Sequence, residues 1–449
     1  MDELQQKVVD AVDEDFLVKT TMELVDIPSP TGYEENAARY MHAKYEEAGF
    51  EAHLQKVAEG RYNAVGISPG TGGGYSVMFN GHLDTSYSGE EPELTQPGYK
   101  NKAIRDGDWI IGNGAANMKS ADVSYLGAAK ALRDAGVELK GDIVLASVAG
   151  EIEKNRIDQY QDVLYDGYGV GTRHLISHGY LTDFCILGEP TGMQVAPWHG
   201  GTIWFKVITR GSMGHTCYGH YTASAIERME RVQAAVRKWI PEYRGRNEFL
   251  GERPHVNVAA IEGGWPYRCA RSPIECRLYV DVRLVPGQTI QNVEVEFKEL
   301  IAQVNEEHPD VGAKVEVFSS HPPSGIPVDS LPSLAMINAH EEVVGEKPNI
   351  IVKTSYLDAA HMNRYGIQTI TYGLAGRTFD ADYGWNADIG EHIHVDALVD
   401  TTKIFALAAL DLCAREREET AIAPDPYANL PEPGQIEALG SGRITALGS

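Results

Sequence analysis

The sequence predicts an α/β protein interrupted by a smaller α+β unit, and three observations carry that reading. Continuous apolar runs, such as residues 143–148 and 184–187, alternate with segments of helical periodicity. Runs of this kind mark strands buried on both faces, as in sheets covered by helices on both sides. Between about residues 196 and 320 the order becomes strand, helix, strand, strand, helix, strand, the order of a ferredoxin-like unit. Finally, His82, Glu151 and Glu189 each follow a strand-like run, and ligands of open α/β sheets bind beyond the C-terminal strand ends. The chain accordingly divides into a first domain built from residues 1–195 and 321–416, an inserted domain at 196–320, and a tail at 417–449. The 449 residues suffice for two or three domains.

Taken in order, residues 13–25 carry Phe16, Leu17, Met22, Leu24 and Val25 at helical spacing, then stop at Pro28-Ser29-Pro30. Thr31 with Glu34 three residues later predicts the cap of a second helix ending at Gly49. Strands follow to residue 79, then a long polar loop at 85–108 of the kind that is more often functional than idle. Asn117-Met118-Lys119-Ser120 opens a helix through Ala135, whose small residues Ala121, Gly127, Ala128 and Ala129 suit close packing. In the inserted unit, helices are predicted from Ala223 to Ile240 and from Gln291 to His308. The α/β pattern resumes near Leu331, with helices at 333–344 and 397–416. The tail is rich in Pro, Gly, Ser and Ala.

Composition narrows the partners. A formal charge of −25 disfavours nucleic acid and anionic membranes, which require basic patches. It leaves an anionic small substrate open, because one local Arg overrides the global sign. The five cysteines, Cys185, Cys217, Cys269, Cys276 and Cys413, are scattered without CxxC spacing. They read as buried free thiols in a reducing cytoplasm. The acidic start, Met1-Asp2-Glu3-Leu4, has no apolar signal core, and no run of about 18 apolar residues suggests a membrane span.

As chemistry, His82, Glu151 and Glu189 suffice for a hydrolytic metal site, since imidazole nitrogen and carboxylate oxygens bind zinc or manganese. Asp84, two residues beyond His82, is placed to orient the imidazole from behind. A further carboxylate can take a proton from a water acidified by the ion.

The ordered motifs Gly81-His82-Leu83-Asp84, Gly112 to Lys119, Gly150-Glu151-Ile152-Glu153 and Leu187-Gly188-Glu189-Pro190-Thr191 resemble those of the aminoacylase, carboxypeptidase G and succinyl-diaminopimelate desuccinylase metallohydrolases. The resemblance spans roughly residues 15–415. It implies a zinc-peptidase-like catalytic domain with a mixed sheet and an inserted lid and dimerisation domain. His82 then resembles the His ligand of a first metal with Asp84 behind it, Glu189 its remaining carboxylate ligand, and Glu151 the general base. Asn117 stands where the family has a metal-bridging Asp, and Ile152 where it has a Glu ligand of a second metal. Taking Glu391 as the family's late Glu, Ala387 and Asn386 occupy the position of the second metal's His. The departures agree, and the expectation is one divalent ion per chain, manganese or zinc, held by His82, Asn117 through its amide oxygen, and Glu189. Glu153, His392 or His394 replacing a lost ligand is the alternative. His392 and His394 otherwise read as surface or packing residues. In the inserted unit, Gly211-Ser212-Met213-Gly214-His215-Thr216 resembles the family segment whose His polarises the scissile group in the partner subunit. That makes His215 the candidate electrophile and implies at least a homodimer.

The resemblance also implies attack on a C–N bond beside a carboxylate. Arg377, in Gly376-Arg377-Thr378, is the first candidate clamp, ahead of Arg210 and Arg283, with Arg283 read as structural. Trp198, His199, Tyr218, His220, Tyr221, Trp265, Tyr267 and Tyr356 suggest an aromatic lining, with Tyr218 and Tyr356 as substrate contacts. The favoured reaction is hydrolytic deamination of an electron-poor aromatic amine, by similarity to the nitroanthranilate aminohydrolase branch. Amide hydrolysis is the alternative, and a non-catalytic ligand-binding relic the third reading.

Overall fold

The computed structural model describes residues 1–221, 223–374, 385–386 and 388–417. Arg377, Ala387 and the tail after residue 417 lie outside the described residues. The chain forms two compact units. The first comprises Met1–Trp198, Gly325–Ile351 and the described residues from Leu357 to Arg417, and the second His199–Ser324 with Val352–Tyr356.

The first unit is built on a nine-stranded mixed sheet. At its centre the strand Val77–His82 lies between Ile143–Val148 and Phe184–Leu187, parallel to both. Every residue of these three strands is buried. Their side chains alternate between two apolar layers, as the period of two requires. Met78, Val144, Ala146, Cys185 and Leu187 pack with Leu175, Ile176 and Met362. Phe79 points the other way, with its ring 5.0 Å from Tyr125 and 5.7 Å from Phe405. Those partners sit on the helices Ser120–Asp134 and Val395–Ala414.

Two helix starts differ from the sequence reading. Glu34, not Thr31, stands at the N-cap of the helix Glu35–Glu47, and it makes no side-chain cap bond. Arg61 explains the difference: it is fully buried and binds both Glu34 carboxylate oxygens at 2.9 and 2.6 Å. Thr31 instead donates its hydroxyl to Asp84 at 2.9 Å. The later helix begins at Ser120. Residues 115–119 form a separate turn that contains a cis Asn117–Met118 peptide.

The second unit has the order Gly201–Arg210, helix Ala225–Arg246, Val256–Gly263, Glu275–Leu284, helix Ile290–Glu307 and Lys314–His321. Its four strands are antiparallel, in the spatial order second, third, first, fourth. The third strand alternates half-buried and buried along all ten residues, the pattern of a sheet with helices on one face only. Phe205 stacks on Phe297 at 4.1 Å, and Trp239 meets Phe297 edge-on at 5.5 Å. Three cysteines, Cys185, Cys276 and Cys413, are buried, whereas Cys217 and Cys269 are exposed. The reading of all five as buried thiols is corrected here, because both exposed residues fall in surface turns. No helix among the described residues is long and apolar enough to cross a membrane.

His340, on the helix Leu331–Val344, is 5% exposed and shares a hydrogen bond of 2.7 Å with the Tyr372 hydroxyl. Burial pulls its pKa down to about 4. An unfolded His titrates near 6.5. The folded chain therefore binds this proton less readily, and the stability involved is complete above about pH 6.5 and lost as the pH falls toward 4. Urea unfolding should show the wild type losing about 2–3 kcal/mol more than His340→Gln between pH 7 and pH 4.5.

Candidate metal centre

The sheet register determines which side chains meet. His82 is paired with Val148 on one side, and Asn80 with Leu187 on the other. Glu151 lies three residues beyond Val148, and Glu189 two beyond Leu187. Three parallel strand ends thus deliver His82, Glu151 and Glu189 to one place, with candidate ligand atoms all within 4.8 Å of one another. All three side chains are buried, His82 to 1% exposure.

The imidazole orientation follows from its hydrogen bonds. Nδ1 faces the Asp84 main-chain carbonyl at 2.8 Å, so in the neutral ring Nδ1 carries the hydrogen and Nε2 presents its lone pair. Nε2 points at Asn117 Oδ1 at 3.2 Å, Glu189 Oε1 at 3.5 Å and Glu151 Oε2 at 3.8 Å. A lone pair and three oxygens converging on one point repel one another unless a proton or a cation lies between them. A nitrogen with carboxylate and amide oxygens is a donor set that suits a divalent ion, so the residues fit the metal that the motifs imply.

Asp84 supports this arrangement differently from the sequence reading. Its carboxylate is 3.6 Å from His82 Nδ1, and its own carbonyl takes the ring hydrogen. The carboxylate accepts the Glu151 and Ile152 main-chain N–H groups at 3.0 and 3.1 Å, and the Thr31 hydroxyl. Asp84 therefore ties the His82 strand end to the Glu151 turn. Glu391 does the same for Asn117. One carboxylate oxygen accepts the N–H groups of Ala116 at 3.3 Å and Asn117 at 3.1 Å. Glycine at 81 and 188 lets the Ser120–Asp134 helix come close behind. A Cβ at Gly81 would lie 2.8 Å from Asp122 Oδ1, and one at Gly188 only 2.1 Å from the Tyr125 hydroxyl.

Electrostatics point the same way. Burial, followed by the charge of Glu189, holds the Glu151 carboxyl well above the usual range. Burial works against a charged His82, but Glu189, Asp84 and Asp122 together outweigh it and raise its pKa. Burial also drives Asp122 up to about 8, Glu391 to about 7 and Asp358 to about 7. A bound cation reverses this logic and favours the carboxylates. Sequence reasoning missed Asp122 and Lys119 as parts of this environment. Lys119 is wholly buried, donates to the Leu24 and Ile27 carbonyls at 3.1 and 2.7 Å, and has its pKa brought down by burial to about 7. The only legible sign was that Lys119 closes the Gly112–Lys119 motif, with Asp122 three residues beyond it.

The other candidates fall as follows. Ile152 is buried and adds only its main-chain N–H. His392 is buried, bonds the Gly390 carbonyl and meets Trp109 edge-on. His394 caps the final helix by accepting the Asp396 N–H. Neither they nor Glu153 join the ligand cluster found among the described residues. His215, Tyr218 and Tyr356 belong to the second unit. Tyr218 is 63% exposed, while Tyr356 is buried against His199 and His321 at 5.9 and 4.8 Å. Arg210 pairs with Glu275 and Arg283 with Asp281. Trp198 is a core residue and Tyr267 is 81% exposed. The described aromatic residues therefore include both core and surface positions.

This constellation, at the C-terminal ends of parallel strands in a mixed α/β sheet, defines a metal-dependent hydrolase. Residues 78–411 match the model of peptidase family M20/M25/M40, and the chain belongs to that family. It acts, as such, on C–N bonds. An N-formyl-4-amino-5-aminomethyl-2-methylpyrimidine deformylase of Bacillus subtilis is 27% identical over 453 residues, covering 93% of this chain and 98% of the relative. A succinyl-diaminopimelate desuccinylase of Methylocella silvestris is 25% identical, covering 81% and 91%. Human carnosine dipeptidase 1 shares the fold with a TM-score of 0.71 at 16% identity, over 92% of this chain and 99% of that one.

The Asp84 bonds yield a prediction. Asp84→Ala leaves two buried N–H groups without acceptors, at roughly 1–3 kcal/mol each. Urea unfolding in the presence of a chelator should show a loss of about 2–6 kcal/mol. An unchanged midpoint would mean that these bonds contribute nothing to the fold.

Proposed function

We propose that this chain is an amidohydrolase that removes a small acyl group from an amine borne on an aromatic or heteroaromatic ring, using one divalent ion. The observation that carries the reading is the convergence of the His82 lone pair with the oxygens of Asn117, Glu151 and Glu189. Full-length similarity to a deformylase that acts on a pyrimidine formamide supports the acyl and ring parts. It moves the favoured reaction from deamination of an aromatic amine to cleavage of an amide. Deamination is the competing outcome of the same assay.

The roles follow from the side chains. His82, Asn117 and Glu189 hold the ion, manganese or zinc, which when bound supplies Lewis acidity toward water and the scissile carbonyl. Asn117 adds no charge, and Ile152 has no ligand atom, which favours one ion over two. Glu151 takes a proton from water and returns it to the departing nitrogen. Asp84 fixes Glu151 through its main chain. His215 serves as the donor to the carbonyl oxygen, in a homodimer formed through the inserted unit. Its Nδ1 accepts the Cys217 main-chain N–H at 3.2 Å, so the neutral ring carries its hydrogen on Nε2, free for donation. A carboxylate on the substrate would be read by Arg377, with Tyr218 and Tyr356 as aromatic contacts.

Two measurements test the reading. Purified protein offered N-formyl and N-acyl arylmethylamines alongside electron-poor aminobenzoates should release the free amine and acid from the former. Ammonia release from the aminobenzoates alone would establish deamination instead. Glu151→Gln should lower kcat by roughly 10²–10⁴ while elemental analysis still finds one ion per chain. Two tightly held ions would overturn the single-ion assignment, and undiminished turnover would remove Glu151 from its role.

A further inference from the structure

Asp122 is a fully buried carboxylate that the roles above leave unused. It lies in the first turn of the helix Ser120–Asp134. Its Oδ1 rests so close to Gly81 that a Cβ there would be 2.8 Å away. The carboxylate is therefore set against the main chain immediately before His82. Ser147, the residue paired with Gly81 in the sheet, donates its hydroxyl to the same oxygen at 2.5 Å. Having given its one hydrogen to Asp122, Ser147 accepts at its own oxygen from the Tyr45 hydroxyl, 2.7 Å away. Two buried O–H groups thus point in series toward Asp122. Each bond in such a chain strengthens the next, and donors aimed at a carboxylate favour its ionised form. Neither oxygen of Asp122 takes a main-chain N–H among the described residues, and Oδ2 is buried with no hydrogen-bond partner. A buried carboxylate with one oxygen unpartnered costs stability, so helix capping and packing do not account for it. Lys119 does not bond it either, because its amine donates to the Leu24 and Ile27 carbonyls. The charge of Asp122 is nevertheless felt at the metal centre, where it is among those that raise the His82 pKa.

We propose that Asp122 strengthens binding of the ion at His82, Asn117 and Glu189 by its negative charge, supplying from behind the ligands the charge that Asn117 does not carry. It coordinates nothing. It acts across the main chain at Gly81 and His82, and the Tyr45–Ser147 hydroxyl chain keeps it ionised. This role rests on the single-ion reading given above. Groups that lie behind metal ligands change the affinity of a site by about 10–100-fold when they are replaced.

The test uses the full chain, stripped of metal with a chelator and then titrated with zinc or manganese against a fluorescent metal indicator. Asp122→Asn keeps the shape and an acceptor for Ser147 but removes the charge. Its affinity should fall by about 10–100-fold, with one ion per chain still bound at saturation. The visible spectrum of the cobalt-loaded protein, which reports ligand number and geometry, should be the same in both. Urea unfolding of the metal-free proteins should give the variant a midpoint equal to or above that of the wild type, because a buried charge is gone. A changed cobalt spectrum or a lower metal-free midpoint would overturn the proposal, since either means that Asp122 acts by holding the ligands in place. Should Asp122→Asn not fold, Ser147→Ala withdraws the donor and leaves the carboxylate. Its affinity should fall several-fold with the cobalt spectrum unchanged, and an unaltered affinity would refute the role. His82→Ala separates the two levels of the reading. Wild-type affinity in that variant would remove the ion from this site, and the role of Asp122 with it. No binding by His82→Ala, but equal affinities in wild type and Asp122→Asn, would overturn the role of Asp122 alone.

Discussion

The first unit depends on a repulsion among buried groups that a bound proton or a cation must relieve. The His82 Nε2 lone pair and three oxygen atoms from Asn117, Glu151 and Glu189 face one another in a buried place. Without a cation, burial and mutual charge push the Glu151 carboxyl toward its neutral form and favour a protonated imidazole. The structure around them is largely devoted to keeping these groups together. Asp84 anchors the turn carrying Glu151, and Glu391 anchors the turn carrying Asn117. Each anchor is a buried carboxylate accepting main-chain N–H groups, an interaction stronger than a neutral hydrogen bond. The surrounding acid load is partly offset by two buried cationic side chains, Arg61 against Glu34 and Lys119 near Glu391 and Asp122.

Much of this arrangement was legible in the chain because it rests on strands. A continuous apolar run identifies a doubly covered strand, and polar residues just past its end must emerge on the ligand-binding edge. His82, Glu151 and Glu189 were found that way, as was the strand and helix order of the second unit. What escaped notice depended on distant partners. Thr31 has the composition of a helix cap, yet Asp84 takes its hydroxyl and Arg61 takes Glu34. Asp84 reads as the orienter of His82, but the shorter path from Nδ1 leads to its own carbonyl. Lys119 and Asp122 give no local sign of burial, because a helix motif does not reveal that its polar face points inward. The aromatic residues were grouped by spacing along the chain, which does not separate the core residue Trp198 from the exposed Tyr267.

The same division between main chain and side chain bears on the single-ion reading proposed above. At position 152, the contact that the site needs is the N–H accepted by Asp84. Any residue supplies it, so an Ile there leaves the Glu151 turn in place. At position 117, the contact to Glu391 is again an N–H, so an amide can replace a carboxylate without moving the loop. The geometry around His82 is therefore insensitive to the two substitutions that remove charge from the neighbouring position. The replacements have chemical consequences instead. An apolar side chain at 152 and a neutral one at 117 remove two negative charges that a second cation would require. Under the proposed reading, the balance that remains is that of one ion flanked by Glu151 and Glu189, with Glu151 as the carboxylate that exchanges a proton.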